Sequence, residues 1–442
     1  MEVVRKSEYD VIVVGSGPGG ATVAREMACR GRKVLVLEWG PGGAVRGTAA
    51  QYFSQSMMPG KSLLLTPELV GMVRGITTGG SSLFYCGTAY PAPLEMLRKH
   101  GVDLGAEVQE TRAELPIAPL KAEMVTPMTS RLMAGAQQVG FDWQLLDKFM
   151  YQDRWQPEYP AFGWYGDPNH MKWSARMYVE EAVAHGAVLL NGARVTRVLS
   201  DHGGATGVEF MMNGQTHSAF AGRVVVAAGG IGSPVILRQS GIREAGYNFF
   251  FDPLITVCGT LKDVSLRDNE IPMSTGVHMR DEGYMMTDLA IPPAMHMAFT
   301  AQVLHLHRLF SFRHTARIMV KIKDDLGGRL TDNGGVRKTL TAADRSKLKA
   351  GFDAAMRVLK AAGATDIYKT SVLAAHPGGT AKIGEIVDAN LKTRIDNLYV
   401  CDCSVIPEAW GLPPTFTLVA FGKRLARHLV ADQRPVARPA AA

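Results

Sequence analysis

The feature that most constrains this chain is the run Gly15-Ser16-Gly17-Pro18-Gly19-Gly20, set between Tyr9–Val14 (YDVIVV) and a helical stretch from Ala21 to Arg30. YDVIVV is short, apolar and rich in β-branched residues, the composition of a strand buried in a parallel sheet. Gly31 closes the helix, and Lys33 to Leu37 (KVLVL) predicts a second strand ending in Glu38. Each part has a physical task. Gly15 permits a tight turn, Gly17 lets the backbone approach a pyrophosphate, and Gly20 lets helix pack closely on strand. The unpaired N–H groups and positive dipole end of the helix then face the phosphates. Glu38, about 20 residues on, offers a carboxylate to both ribose hydroxyls. Strand, glycines, helix, strand and acid in this order predict a dinucleotide site. They do not choose between NAD and FAD.

The length, 442 residues, accommodates two or three domains, and 46% hydrophobic with 20% charged residues suits a large globular core. No repeat is present, and a Pro/Ala-rich tail follows Asp432. The net charge of +7 fits an anionic cofactor or substrate. Its basic residues are dispersed rather than striped, which argues against nucleic acid. The opening MEVVRKSEYD leads directly into a strand, without the apolar core or cleavage site of a secretory signal. The weakly charged run from Leu289 to His307 is broken by Pro292-Pro293 and carries three histidines, so no membrane span is expected there. Cys29, Cys86, Cys258, Cys401 and Cys403 fit no zinc pattern. These features together predict a cytoplasmic protein.

Four further segments resemble, in order, the glucose–methanol–choline (GMC) family of flavoproteins. Gly79-Gly80-Ser81-Ser82 is similar to the loop that runs along the FAD pyrophosphate and flavin. Lys172 to Glu181, followed by Ala193 to Val198, resembles the helix and strand whose valine, here Val195, touches adenine. Gly229-Gly230-Ile231-Gly232-Ser233-Pro234, continuing to Ser240-Gly241-Ile242, resembles the second family signature, with Arg243 in place of its usual glycine. Ala375-His376-Pro377-Gly378-Gly379-Thr380, then Asn397 to Pro407, resembles the active-site motif and the strand that ends at the flavin.

The resemblance implies FAD, held non-covalently because no tether position is recognisable, and an α/β fold in discontinuous pieces. A Rossmann-like FAD-binding domain is expected from residues 1–100, 165–245 and 366–442. An α+β substrate domain on a mostly antiparallel sheet is expected from 101–164 and 246–365, with a strand at Ala316–Lys323 and a helix at Ala342–Ala362. The family usually runs longer, so this is a short, atypical member.

The resemblance places His376 beside flavin N5, taking an alcohol's hydroxyl proton while the carbon-bound hydride goes to N5. A neutral imidazole suits that task near neutral pH. Asp402 is expected near the flavin, and a helix beginning near Pro414 and Thr415 is expected to point its N-terminus at N1 and O2, stabilising an anionic reduced ring. Relatives carry a second catalytic His or Asn after this strand. Here Pro413 stands in that place, with no side-chain donor or acceptor, and Tyr85 replaces an Asn after the glycine–serine loop. Tyr85, Trp410 and Glu408 are therefore the candidates to line the site.

His296, His305, His307 and His314 share one stretch with Arg308, Arg313, Phe310 and Phe312, without a neighbouring carboxylate or cysteine, so no metal site is expected. A cover over the pocket and a basic, aromatic surface facing a membrane or quinone pool are its two readings. Cys401 and Cys403 alternate with Asp402 and are expected to share one strand face. Met285, Met286, Met295 and Met297 hint at an apolar pocket. The expected partners are a small, apolar substrate and an electron acceptor (a quinone, an electron-transfer protein or oxygen), with a homo-oligomer also open. Three functions stand side by side: oxidation of CH–OH to C=O, favoured by His376; desaturation or reduction of a C=C bond, favoured by Pro413; and a non-catalytic FAD-binding subunit.

Overall fold

The structure, a computed structural model, describes residues 9–156, 163–267 and 270–432. The Pro/Ala-rich tail and the first eight residues lie outside them. Val11, Ile12 and Val13 are wholly buried in the Tyr9–Val14 strand, because parallel neighbours and helices cover both its faces. It pairs in parallel with Val34–Glu38 on one side and Gln215–Val226 on the other. Val188–Asn191 extends the sheet beyond Val34–Glu38, and Leu398–Val400 pairs in parallel with the end of Gln215–Val226. Arg194–Asp201 and Gly204–Met212 complete this seven-stranded sheet as an antiparallel extension.

Register aligns the ends that matter. Val14 sits opposite Leu37 and Val226, and Val226 sits opposite Val400. The chain therefore leaves four neighbouring strands at one edge, toward Gly15, Glu38, Gly229 and Asp402. The crevice outside such carboxyl ends is where open α/β sheets bind ligands. The first helix, Pro18–Ala28, begins three residues earlier than the sequence suggests, with Pro18 preset for a first turn. The helix Thr415–Ala431 packs on it so closely that a Cβ on Gly422 would meet the Thr22 Cβ at 2.5 Å.

The second sheet has nine strands and is antiparallel except where Leu373–Ala374 meets Gly71–Val73. Its centre is Pro253–Thr260, Thr315–Ile322 and Tyr284–Asp288. One face is covered by the helices Ala342–Ala361 and Pro127–Gln138, burying Ile318, Val320, Leu348 and Leu132 together. Thr341 and Asp344 cap the longer helix reciprocally, each side chain accepting the other's backbone N–H. Strand alternation sends Arg317, Met319 and Lys321 to the opposite face, where Met319 joins Tyr90, Met273, Met285 and Leu412.

The expected division of the chain is not followed everywhere. Leu63–Leu65 and Gly71–Val73, within the piece 1–100, belong to the second sheet, as does Leu373–Ala374 from the piece 366–442. These are two- and three-residue strands, too short for alternation to show which sheet takes them.

Candidate active site

The glycine loop is shaped by contacts that only hydrogen at Cα allows. Gly15 has φ +99°, and a Cβ there would overlap the Ala227 carbonyl oxygen. A Cβ on Gly20 would reach the Ala227 Cβ at 2.8 Å. Around Gly17 nothing lies within 4 Å of a Cβ position, and no side chain caps the helix it precedes. That leaves an open cradle of unpaired N–H groups at a helix N-terminus, the chemistry a pyrophosphate requires. Gly80 closes over the loop, since a Cβ on it would stand 3.1 Å from the Gly17 Cα.

Glu38 is buried at the edge of this cradle. Its carboxylate accepts from Ser16 N–H (3.1 Å), the Ser16 hydroxyl (2.6 Å) and Gly40 N–H (2.6 Å). Burial pushes its pKa up, and these three donors pull it back. A carboxylate has about four lone-pair sites, so one remains for a ribose hydroxyl. Ser16 also accepts from Gly79 N–H at 3.0 Å, tying the two glycine loops together. Beside Glu38, the Trp39 ring is approached by Arg194 (4.8 Å), Lys61 (5.1 Å) and Arg74 (5.6 Å), three cations suited to an anionic cofactor.

At the other end, three segments interlock. Asp402 accepts from Gly229 N–H and Ser404 N–H, both at 2.8 Å, and from the Ser233 hydroxyl. A Cβ on Gly230 would overlap the Pro377 carbonyl oxygen, and the Thr380 hydroxyl donates to the Gly230 carbonyl at 2.8 Å. Next to this junction His376 sits in the left-handed region, φ +52°. Such strain persists only where the surroundings over-determine it.

The His376 Nδ1 lies 3.2 Å from Asp252 Oδ2 and 3.2 Å from the Lys321 ammonium, and Lys321 is 3.4 Å from the same Asp252 oxygen. Asp252 and Lys321 side chains are 1% exposed, whereas that of His376 is 27% exposed. Its Nε2 has no hydrogen bond among the described residues. Burial and the Lys321 charge lower the imidazole pKa, against the pull of Asp252, so the ring is neutral near pH 7. Asp252 is itself held, because Asp324 accepts from the Phe251 and Asp252 N–H groups and pairs with Lys338 at 3.0 Å. Burial raises Asp324 to about 7.

Comparison with known proteins agrees with this geometry. Residues 8–254 and 335–422 match the N- and C-terminal parts of the GMC oxidoreductase pattern. The chain belongs to the GMC oxidoreductase family. It is 27% identical, over 96% of its own length and all of the relative's, to an uncharacterised protein of Methanocaldococcus jannaschii. It is 24% identical to the long-chain-alcohol oxidase FAO3 of Arabidopsis thaliana, across 93% of this chain and 66% of that one. In fold it is similar to pyridoxine 4-oxidase from Mesorbium loti, with TM-score 0.75, 15% identity, and 95% and 99% of the two chains covered. The chain is thus an FAD-dependent oxidoreductase, and the cradle fits FAD.

Within the GMC frame, the sequence-derived candidates separate. Ser82 donates to the Gly79 carbonyl and accepts from Ala175 N–H, which makes it a lock for the glycine–serine loop, and Ser81 accepts from Gly75 N–H. Val195 is buried on its strand beside the Gly40 turn, where Ala193 N–H donates to the Glu38 carbonyl. Thr415 opens its 17-residue helix after Pro414, again without a side-chain cap. Tyr85 points into a packed cluster with Phe149 and Trp173 and donates to the Trp173 carbonyl at 2.7 Å, so its proton is committed there. Trp410 packs between the first core and the Met285–Met319 cluster. Glu408 turns outward to His100 at 2.9 Å and does not line the site.

Three other expectations change. Met285 faces the site-side cluster, but Met286 lies in the core behind the sheet, Met295 packs elsewhere and Met297 is exposed, so they share no pocket. Cys401 and Cys403 do not share a strand face, because the strand ends at Val400; Cys401 abuts Gly19 while Cys403 lies against the His376 carbonyl. The histidine stretch does acquire a carboxylate, Asp366, from a distant strand, but Arg308 already pairs with it beside His305 and His307.

Sequence reasoning missed Asp252, Lys321, Trp39 and two buried lysines. Lys148 donates to the Cys86 and Pro272 carbonyls, and Lys172 to those of Leu83, Tyr85 and Trp164, so together they pin the segment after the glycine–serine loop.

Proposed function

We propose that this protein uses non-covalently bound FAD to dehydrogenate a CH–OH group of a small, apolar organic molecule, with His376 as the base. The arrangement of His376 carries the reading: a neutral ring anchored at Nδ1, with Nε2 open. When Nδ1–H donates to Asp252, the lone pair lies on Nε2 and can take a hydroxyl proton. The imidazolium that forms is stabilised by the Asp252 carboxylate behind it. FAD supplies the two-electron acceptor. Gly15, Gly17, Gly20, Glu38 and Gly80 would hold its dinucleotide end, and the uncapped helix beginning at Thr415 after Pro414 would offer a positive dipole end to an anionic reduced ring. Tyr90, Met273, Met285, Met319 and Leu412 give the substrate side an apolar wall. Relatives named for long-chain alcohols and choline, and a structural neighbour named for pyridoxine, support an alcohol substrate. The free state of all five cysteines supports a reducing compartment, and the cytoplasm is the place we assign.

One observation favours a second reading. If Nδ1 instead accepts from Lys321, the proton sits on Nε2 and His376 becomes an acid, as reduction of a C=C bond requires. Pro413 supplies no second grip on a hydroxyl, which fits that alternative. Anaerobic mixing with a series of alcohols separates the two. Alcohol dehydrogenation predicts flavin bleaching that slows about 10²–10⁴-fold in His376→Ala. Bleaching by no alcohol, together with reoxidation of the dithionite-reduced protein by an activated alkene, would replace the first reading with the second. Gain of alcohol turnover in Pro413→Asn would mean that the natural substrate has no hydroxyl to hold.

A further inference from the structure

Between the helix Pro293–Gln302 and the strand Thr315–Ile322 the chain makes a short helical turn, Leu306–Arg308, preceded by His305. The strand Thr365–Lys369 brings Asp366, 58 residues beyond Arg308, up to that turn. Two imidazoles converge on its carboxylate. His305 Nε2 lies 3.2 Å from Oδ1, His307 Nε2 lies 3.0 Å from Oδ2, and the two ring centroids are 4.3 Å apart. One donor atom from each of the three residues lies within 4.8 Å of the other two. The His305 ring is fixed by stacking on Tyr368, with centroids 4.1 Å apart. The His307 side chain is 61% exposed, yet it directs Nε2 at Asp366.

These separations match the edges of a metal's coordination shell. Zn²⁺ held tetrahedrally at about 2.0–2.1 Å sets neighbouring ligand atoms about 3.3 Å apart. Two imidazoles with one carboxylate suit Zn²⁺, whereas Ca²⁺ and Mg²⁺ take oxygen ligands. Arg308 is the competing cation, and it takes only part of the carboxylate. It reaches Oδ2 through Nε alone. A carboxylate has about four lone-pair sites, so Oδ1 stays available beside His305. Partial burial pushes the Asp366 pKa up, but the bonds from Arg308 and the two histidines outweigh it and hold the group at about 2, so the carboxylate is ionised as a ligand must be.

We propose that His305, His307 and Asp366 form a Zn²⁺ site, with water in the fourth position on the exposed side of His307. Three protein ligands and a water is a coordination Zn²⁺ commonly takes. Arg308 remains on Oδ2, where an outer hydrogen bond orients a ligating carboxylate. The metal would act as a clip. It joins the turn to Thr365–Lys369, which pairs with Pro253–Thr260 in the second sheet. The clip does not depend on which reaction the flavin performs.

The test uses the full FAD-loaded chain without an affinity tag, stripped with a chelator and dialysed against Zn²⁺. One bound equivalent and a raised melting temperature are expected, with affinity at least about 100-fold lower in His307→Ala and in Asp366→Asn. Because His307 is exposed, His307→Ala should keep its flavin and its metal-free melting temperature. With Co²⁺ in place of Zn²⁺, the wild type should gain the visible bands of a tetrahedral ion, and the variants should not. Absence of wild-type binding would leave an ion-paired cluster only and overturn the proposal. An equivalent retained by both variants would overturn it too, by placing the metal elsewhere on the protein.

Discussion

Replacing Lys321 with Met asks whether a buried ammonium sets the working pH of His376. Nζ stands 3.2 Å from Nδ1. Two unit charges at that distance interact by about 5 kcal/mol at an effective dielectric constant near 20. Imidazolium charge is spread over the ring and Asp252 compensates much of the rest, so only part of this acts on the titration. A shift of about one to two pKa units, at 1.36 kcal/mol each, is the expected remainder. The sign follows from the charges. Lys321 disfavours the imidazolium, so its removal raises the His376 pKa. A base works only when neutral, so activity falls as pH drops through that pKa. The falling limb of the rate of anaerobic flavin reduction should therefore move to higher pH in Lys321→Met and stay near its original place in Lys321→Arg. Asp252 is left buried without its ammonium, a loss worth about 3–5 kcal/mol of stability. The double variant Lys321→Met/Asp252→Asn removes both charges and should place the limb near the ordinary imidazole value, about 6.5. A limb that stays put or moves down in folded, flavin-loaded Lys321→Met would refute the assigned role.

Other outcomes follow from the cofactor cradle. Glu38→Ala should weaken FAD binding by about 1.5–3 kcal/mol, because a charge-assisted acceptor is lost; flavin fluorescence on dilution reads the change, and equal retention would count against the contact. Acid precipitation should leave a colourless pellet and a yellow supernatant, whereas colour in the pellet would establish a covalent link. Gly230→Ala should cost about 1–3 kcal/mol or more, since its Cβ has no room beside Pro377, and a thermal melt identical to wild type would show that the two segments can part.

What could be read from the chain was local. Strand, glycines, helix and acid follow one another within 30 residues, and each has one conformation that satisfies it, so Gly15 to Glu38 declares its fold. The segments ending at His376 and Asp402 were legible through resemblance, which carries their neighbours with them. Asp252 and Lys321 were not. Asp252 follows three phenylalanines and sits at φ +46°, and Lys321 interrupts an apolar strand. Each looks like an ordinary loop acid or surface lysine until strand pairing brings them to His376 from 124 and 55 residues away. Tyr85 and Glu408 illustrate the reverse. Sequence position put them near the flavin segments, but side-chain direction, fixed by Trp173 and His100, decided where they point.

The pairing of Leu398–Val400 with the centre of the first sheet has a consequence for biosynthesis. The Tyr9–Val14 strand and its helix are made well before the strand beside Val224–Val226 and the helix that covers Pro18–Ala28, which lie at Leu398–Val400 and Thr415–Ala431. At 5–20 residues per second, the nucleotide-binding half waits roughly 20–70 s with an open sheet edge and an uncovered apolar helix face. Asp402 and Gly229, 173 residues apart, meet only after both segments have emerged. A chain truncated before Leu398 would leave that sheet edge and that helix face open.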